Sequence, residues 1–178
     1  MNVRFPKIEV RRSPVHGNGV FAAEKIPAGT LVCEYRGELI SAEEAERRAE
    51  ARSREDPRAP IYVFEIDEEL CIDATDTAAE DNPARFINHS CEENCEAVWN
   101  ARERRLEIRA LRDVEPGEEL SFDYGFGLAG FFEHPCRCGK KSCPGYIVAR
   151  PLRPALLRRL AAKRRGNARS LLRPAKSD

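Results

Sequence analysis

No apolar run in this chain approaches the roughly 18 residues that a membrane-spanning helix needs. The segment from Met1 to Val10 also lacks the apolar core of a signal peptide. A helical membrane span and export by the general secretory route are therefore not expected. Low-complexity tracts and internal repeats are missing too, which sets aside disordered polymers and solenoids. Aromatic residues are sparse at 7%, with one Trp and four Tyr, so rings spaced two apart on a short segment stand out. Net charge is missing as well: 30 basic residues balance 30 acidic ones over 178 residues. That length suits one domain with its own core plus a small appendage.

The neutral total hides a division. From Arg150 to Asp178 ten basic residues face one acid, a net of +9, which leaves −9 on residues 1–149. An acidic body would attract a basic polypeptide, and a basic tail a polyanion; solvated surface explains the tail equally well.

What the chain does have is cysteine: Cys33, Cys71, Cys91, Cys95, Cys136, Cys138 and Cys143. The number is odd and three crowd together near the C-terminus. Without a secretory signal, that clustering reads as metal binding before disulfides. Cys136-x-Cys138-x4-Cys143 supplies three thiolates, where a closed zinc site wants four. Three reduced, unligated cysteines in a loop are the plainer reading. His134 is the one credible substitute ligand, while His16 reads as a turn histidine.

Short apolar segments alternate with turn signals. Ile8–Val10, Val20-Phe21, Leu31–Tyr35, Ile61–Ile66, Leu70–Asp73, Leu106–Ile108 and Leu120–Phe122 read as strands. Ser41 with Glu44 forms a capping box that opens a polar helix through about Ser53, stopped by Asp56-Pro57 and Ala59-Pro60. Beyond Pro154, the pairs Leu156-Leu157, Leu160-Ala161 and Leu171-Leu172 predict an amphipathic basic helix fraying into a tail. The fold class is mostly β with short helices (α+β).

Three segments depart from ordinary residue choice. Gly17-Asn18-Gly19, after His16 and before Val20-Phe21, permits torsions and close approach that a side chain would block; alone it is an ordinary turn. Arg85-Phe86-Ile87-Asn88-His89-Ser90-Cys91 sets polar and nucleophilic groups behind an apolar pair. Thiol hydrolysis is a poor explanation, because His89 and Cys91 on one strand would share a face without the usual Cys–His geometry. Leu120-Ser121-Phe122-Asp123-Tyr124-Gly125 places two rings on one face of an extended segment; a core Phe and a half-buried Tyr is the plainer reading. Trp99 and Phe131-Phe132 read either as core or as groove walls.

Taken in order, these segments resemble the hallmarks of SET domains. The resemblance runs from the Gly-x-Gly turn through Glu34-Tyr35-Arg36-Gly37-Glu38 and Arg-Phe-Ile-Asn-His-Ser-Cys to Glu119-Leu-Ser-Phe-Asp-Tyr124. Cys136-Arg-Cys138-Gly and Cys143-Pro-Gly145 look like the family's post-SET module. It spans residues 9–147. It implies small curved sheets with a knot-like threaded C-terminal segment, something strand reading alone could not supply. The expected divisions are 6–126 for the SET domain, with a helical insert at about 41–60, then 132–148 for the zinc module and 149–178 for a basic helix and tail.

The resemblance also implies an activity: methyl transfer from S-adenosylmethionine to a lysine amine of a protein, with one structural zinc. Tyr124 would be the catalytic tyrosine, Tyr35 would line the lysine channel, and Phe122 would occupy the position that sets product size, permitting di- or trimethylation. Gly17, Asn18, Gly19, Tyr62, Arg85, Asn88, His89 and, more loosely, Tyr146 would contact the cofactor. Many relatives carry Trp where this chain has Asn18, which removes one apolar contact. Cys91 would join Cys136, Cys138 and Cys143 on zinc, leaving Cys33, Cys71 and Cys95 as incidental thiols.

By analogy with the family, the substrate is a histone, histone H3 first, or another basic protein. A monomer is expected, with no membrane partner. Ile8 opens the first strand, so the Cys-rich module that eukaryotic relatives often carry ahead of the domain is expected to be absent. Arginine over lysine, with much alanine, points to a GC-rich and free-standing bacterial source, nucleoid-associated or cytoplasmic; a histone substrate points instead to the nucleus. The rival classes are a non-catalytic interaction module of the same fold and a zinc protein bound to nucleic acid through its tail.

Overall fold

The computed structural model describes residues 4–78 and 81–171, with backbone only from 164 onward. Leu172, Arg173, Lys176 and Asp178 of the expected tail, and the side chains of Arg164, Arg165 and Arg169, lie outside the described residues.

Among the described residues, ten short strands and two α-helices follow one another: β1 (Ile8–Arg12), β2 (Asn18–Ala22), β3 (Leu31–Tyr35), β4 (Glu38–Ser41), α1 (Ala42–Glu55), β5 (Val63–Glu65), β6 (Leu70–Asp73), β7 (Asn88–His89), β8 (Cys95–Asn100), β9 (Arg105–Ala110), β10 (Ser121–Phe122) and α2 (Arg153–Leu171). They divide into two units. The first comprises residues 1–88 and 93–122, the second 89–92 and 123–178.

The first unit holds small antiparallel sheets. β1 pairs with β2, β9 lies between β3 and β8, and β6 lies between β4 and β5. Its core collects Val20, Ile26, Val32, Leu106, Ile108, Val114 and Leu120, each almost wholly buried. Beyond the ladders, Ile26 and Val114 exchange reciprocal backbone hydrogen bonds of 2.9 and 2.8 Å. Glu34 of β3 stands directly across from Glu107 of β9, a like-charge pairing that destabilises a sheet unless it is neutralised. Arg105 meets Glu34 at 2.9 Å and Arg109 meets Glu107 at 2.6 Å, which supplies the missing charge.

Helix α1 begins where Ser41 Oγ accepts the Glu44 N–H at 3.1 Å. Only this half of the expected capping box takes the expected form. The Glu44 carboxylate turns to Arg47 and Arg48, both at 2.7 Å, because two guanidiniums one turn on outcompete a single backbone donor. Arg48 also meets Glu38 and Asp73, and Arg52 meets Asp76, which staples the helix to β4 and the β6 end.

In the second unit, Val148 and Leu156 are the buried aliphatic side chains among the described residues. Arg153, at the start of α2, donates to Val148 O (3.0 Å), Cys91 O (2.7 Å) and Asp123 Oδ2 (3.0 Å). Asp123 further accepts the N–H groups of Gly125 and Arg150.

Candidate active-site residues and metal centre

In the first unit the glycine turn is built around polar side chains. Ser13 N–H donates to Gly17 O at 3.0 Å, and Gly17 sits at φ +51°, where a side chain is strained. Gly19 has a different requirement: a Cβ there would overlap Glu119 Oε1 and press on Ser13. Ser13 Oγ donates to that same Oε1 at 2.7 Å. Asn88, buried, directs its amide N–H groups at His16 O (3.2 Å), Asn18 O (3.0 Å) and Glu119 Oε1 (2.9 Å). The second motif thereby fixes the backbone of the first across 70 residues of sequence.

A string of rings follows. Tyr35, at the end of β3, lies 5.5 Å from Phe64, and Phe64 lies 5.9 Å from Phe122. Tyr35 and Phe122 are buried, and the Tyr35 hydroxyl donates to Tyr62 O at 3.1 Å. Tyr62 meets Phe86 edge-on at 5.7 Å, with the Arg85 guanidinium 4.8 Å above each ring. Arg85 also donates to Ala74 O at 2.9 Å and to Thr77 O, which holds the loop after β6 against these rings.

The second unit gathers Cys91, Cys136, Cys138 and Cys143, whose sulfurs all lie within 4.8 Å of one another, Cys91 and Cys136 at 3.9 Å. Four sulfurs bonded at about 2.3 Å to one ion stand about 3.8 Å apart in a tetrahedron, so the donor set fits a metal. The loop turns at Gly139 (φ +68°) and Gly145 (φ +88°) and closes through Cys136 N–H to Gly145 O. Burial pushes the Cys136 thiol up to about 12 and raises Cys91 as well. Cys138 goes the other way, down to about 7: burial opposes that shift, but the backbone N–H groups of Cys91 and Lys140 together with hydrogen bonds from the Cys136 and Cys143 thiols outweigh it. Donors aimed at sulfur favour the thiolate form that a metal binds.

Beside this cluster lies His89, 3% exposed, with Nε2 at 3.5 Å from Cys91 Sγ and Nδ1 at 3.2 Å from the Tyr124 N. The rings of His89 and Tyr124 are 5.5 Å apart, edge to face. Tyr124 also tilts against Phe126 at 5.7 Å, and Phe126 against His134 at 4.8 Å. Tyr146 meets Phe131 edge-on at 4.9 Å, while Phe132 is 66% exposed.

The expected residues thus fall into separate groups, each with its own geometry. Gly17, Asn18, Gly19 and Asn88 form one; Tyr35 and Phe122 form another, with Tyr62 and Arg85 beside them. Tyr124 and His89 stand with the four cysteines. His16 and His134 are exposed and are not members of the cysteine cluster, nor are the buried Cys33, Cys71 and Cys95. Four residues that carry these groups had no expected role. Phe64 joins Tyr35 to Phe122, and its two-residue spacing from Tyr62 was the available signal. Glu119 anchors the glycine turn and opens the Glu119–Tyr124 motif. Asp123 and Arg153 form the polar hub, and Arg153 looked like one more basic tail residue.

Residues 17–125 match the family model described as SET domain. The chain is 41% identical over 142 residues to "Histone-lysine N-methyltransferase trithorax" of Drosophila virilis, covering 79% of this chain and 4% of that protein. It is 38% identical over 151 residues to "Histone-lysine N-methyltransferase, H3 lysine-4 specific" of Saccharomyces cerevisiae, covering 83% of this chain and 14% of that one. The namesake of Schizosaccharomyces pombe is 38% identical over 154 residues, covering 82% of this chain and 16% of its own length. The chain therefore spans only a small part of the length of these relatives.

Proposed function

The chain belongs to the SET domain family, and from that premise we propose that it transfers methyl groups from S-adenosylmethionine to the side-chain amine of a lysine in a protein substrate. The observation that carries this reading is the Asn88 amide, hydrogen-bonded to the carbonyls of His16 and Asn18. It joins two motifs that have no local reason to meet. The names of the relatives support a histone, and chromatin, as substrate and place of action.

When bound, S-adenosylmethionine supplies a methyl group on a sulfonium, open to direct displacement by an amine. The rest falls to this chain's own groups. The amine must be neutral, whereas a free lysine has a pKa of about 10.4. Apolar walls disfavour the ammonium, and aromatic rings provide them without offering a competing acid. Tyr35 and Phe122 serve as walls, and the Tyr124 hydroxyl orients the amine lone pair, so that positioning supplies much of the rate. Gly17, Asn18 and Gly19 offer backbone groups to the cofactor, with Arg85, Asn88, His89, Tyr62 and Tyr146 as its further contacts. Zinc is the metal proposed for Cys91, Cys136, Cys138 and Cys143, with a structural role, since all four positions of a closed site are taken by thiolates. The divisions proposed for the chain remain 6–126, 132–148 and 149–178.

The first test is intact-mass analysis of core histones and other basic proteins incubated with the protein and S-adenosylmethionine. Mass gains of one methyl or its multiples in wild type, absent with Tyr124→Phe, are expected; no gain on any substrate despite cofactor binding counts against catalysis. Phe122 lacks a hydroxyl that would pin a partly methylated amine. Products beyond monomethyl are therefore expected, and Phe122→Tyr should shift them toward monomethyl. Monomethyl product alone at long times, with enzyme still active, overturns that point.

A second reading adds polyanion contact through α2, where Arg158, Arg159 and Lys163 are exposed. Affinity for DNA falling steeply with salt and lost on truncation after residue 149 is its signature.

A further inference from the structure

The second unit contains one buried titratable side chain that the proposed reaction uses only as a cofactor contact, yet both of its ring nitrogens face inward. His89 is 3% exposed. Its Nδ1 lies 3.2 Å from the backbone N of Tyr124, and a backbone N–H can only donate. Nδ1 therefore offers a lone pair, and the proton of the neutral ring sits on Nε2. That nitrogen is 3.5 Å from Cys91 Sγ, within reach of an N–H···S hydrogen bond. Asp123 Oδ1 stands 3.6 Å from Nδ1, beyond hydrogen-bond length, whereas the Tyr124 N is at 3.2 Å.

We propose that His89 is a positioning residue that ties the backbone of Tyr124 to the Cys91 sulfur of the metal cluster, so that filling the cluster sets where the Tyr124 hydroxyl stands. The proposal rests on the methyltransferase and zinc readings above. The chemistry is that of an outer partner to a metal ligand. A thiolate carrying negative charge is a good acceptor for an imidazole N–H, and that bond holds the ring's orientation and tautomer. With the ring held, Nδ1 presents a fixed acceptor to the amide of Tyr124, and the Tyr124 ring packs edge-on against the same imidazole. Arg153 reinforces the arrangement from the other side. It clasps the carbonyl of Cys91, one end of the link, and the carboxylate of Asp123, the neighbour of the other end.

The two arms of the ring can be removed separately. Asn places its carbonyl oxygen near the position of Nδ1 and has no reach to Cys91. Gln places its amide N–H groups near Nε2 and offers no acceptor at Nδ1. The full chain is loaded with Co2+ in place of zinc and read by the sulfur-to-cobalt charge-transfer absorption and by the 1H–15N resonance of the Tyr124 amide. His89→Asn is expected to move the cobalt band while keeping the Tyr124 amide near its wild-type position. His89→Gln is expected to keep the band and move the amide. With zinc and a histone substrate, each variant should lower kcat by about 10–100-fold, the range for losing a metal ligand's outer partner, with KM for the protein substrate within about twofold.

Long-range 1H–15N spectra of the wild type provide a check free of any folding defect: a protonated Nε2 and a bare Nδ1 are expected, and a proton on Nδ1 overturns the link. Either spectroscopic signal staying put in both variants overturns it too, as does a pair of variants that behave alike. The cobalt and amide signals do not depend on turnover. Their failure with methyl transfer intact therefore sinks the link alone, and their success without any methyl transfer sinks the enzymatic reading alone.

Discussion

The two units reach order by different physical means. In the first, three-stranded sheets bury aliphatic side chains such as Val32, Leu106 and Ile108, and ion pairs such as Arg109–Glu107 settle the charges left on the ladders. Among the described residues, the second has Val148 and Leu156 for buried aliphatics. Beside ring contacts such as Tyr146–Phe131, its order comes from polar convergence: four sulfurs in one place, an arginine with three acceptors, and a histidine bonded through both nitrogens. Apolar burial is distributed and tolerates single losses. Convergence on a few polar centres is concentrated, and so hangs on each centre being filled. The proposed catalytic tyrosine, Tyr124, belongs to the concentrated kind.

Removing the metal breaks this contrast most sharply. Binding at a thiolate site is coupled to folding. Chelation should therefore bring amide hydrogen exchange in 136–147 close to unprotected rates while β3, β8 and β9 keep their protection. Exchange rising equally in both units would mean that they fold as one and that the contrast is false.

The complementary cut falls in the first unit. Ile108 is fully buried, and Ile108→Ala should cost about 2–5 kcal/mol in chemical denaturation, from lost transfer energy plus the cavity. The metal stoichiometry of the folded fraction should not change. A loss well below that range would show the sheet core to be looser than its burial implies.

Acid gives the smallest effect and sharpens the same comparison. Glu107, nearly buried, is held below the usual carboxylate value by the Asn100 amide and then by the Arg109 guanidinium. A carboxyl lowered on folding contributes stability that is present above its unfolded pKa of about 4.3 and is lost as pH falls through the folded value. Glu107→Gln should therefore flatten the decline of first-unit stability below about pH 4. The second unit, whose ligands must stay deprotonated, should release its metal at a higher pH than that. Circular dichroism and metal release followed along one titration measure both, and coincident transitions would count against the separation.

Much of the first unit was readable from local pattern. β3 and β6 occupy the residues their apolar spacing predicts, and α1 starts at the Ser41 cap. The strand expected over Ile61–Ile66 is shorter, Val63–Glu65, because Tyr62 N–H donates to Thr75 Oγ1 instead of joining the ladder. β4 and β8 carried no readable strand signal. Glu38–Ser41 reads as the end of a motif, and β8 puts the apolar Val98 on the exposed face beside Glu96, which blurs the apolar alternation. Arg153 carried no signal, since an arginine that caps a polar hub and one that faces water look alike in a run of basic residues.

By itself, the sequence settled what depends on residue type and short spacing: the family, the three clustered thiols, and the glycines where a positive φ or a close approach forbids a side chain. The tertiary structure decided what depends on groups far apart in the chain. It brought Cys91 to within 3.9 Å of Cys136, 45 residues away, and set Asn88 on the glycine turn. It gave both faces of His89 a partner. Local pattern reports which backbone conformations a segment prefers. Which buried donor finds which acceptor is settled only when the elements pack.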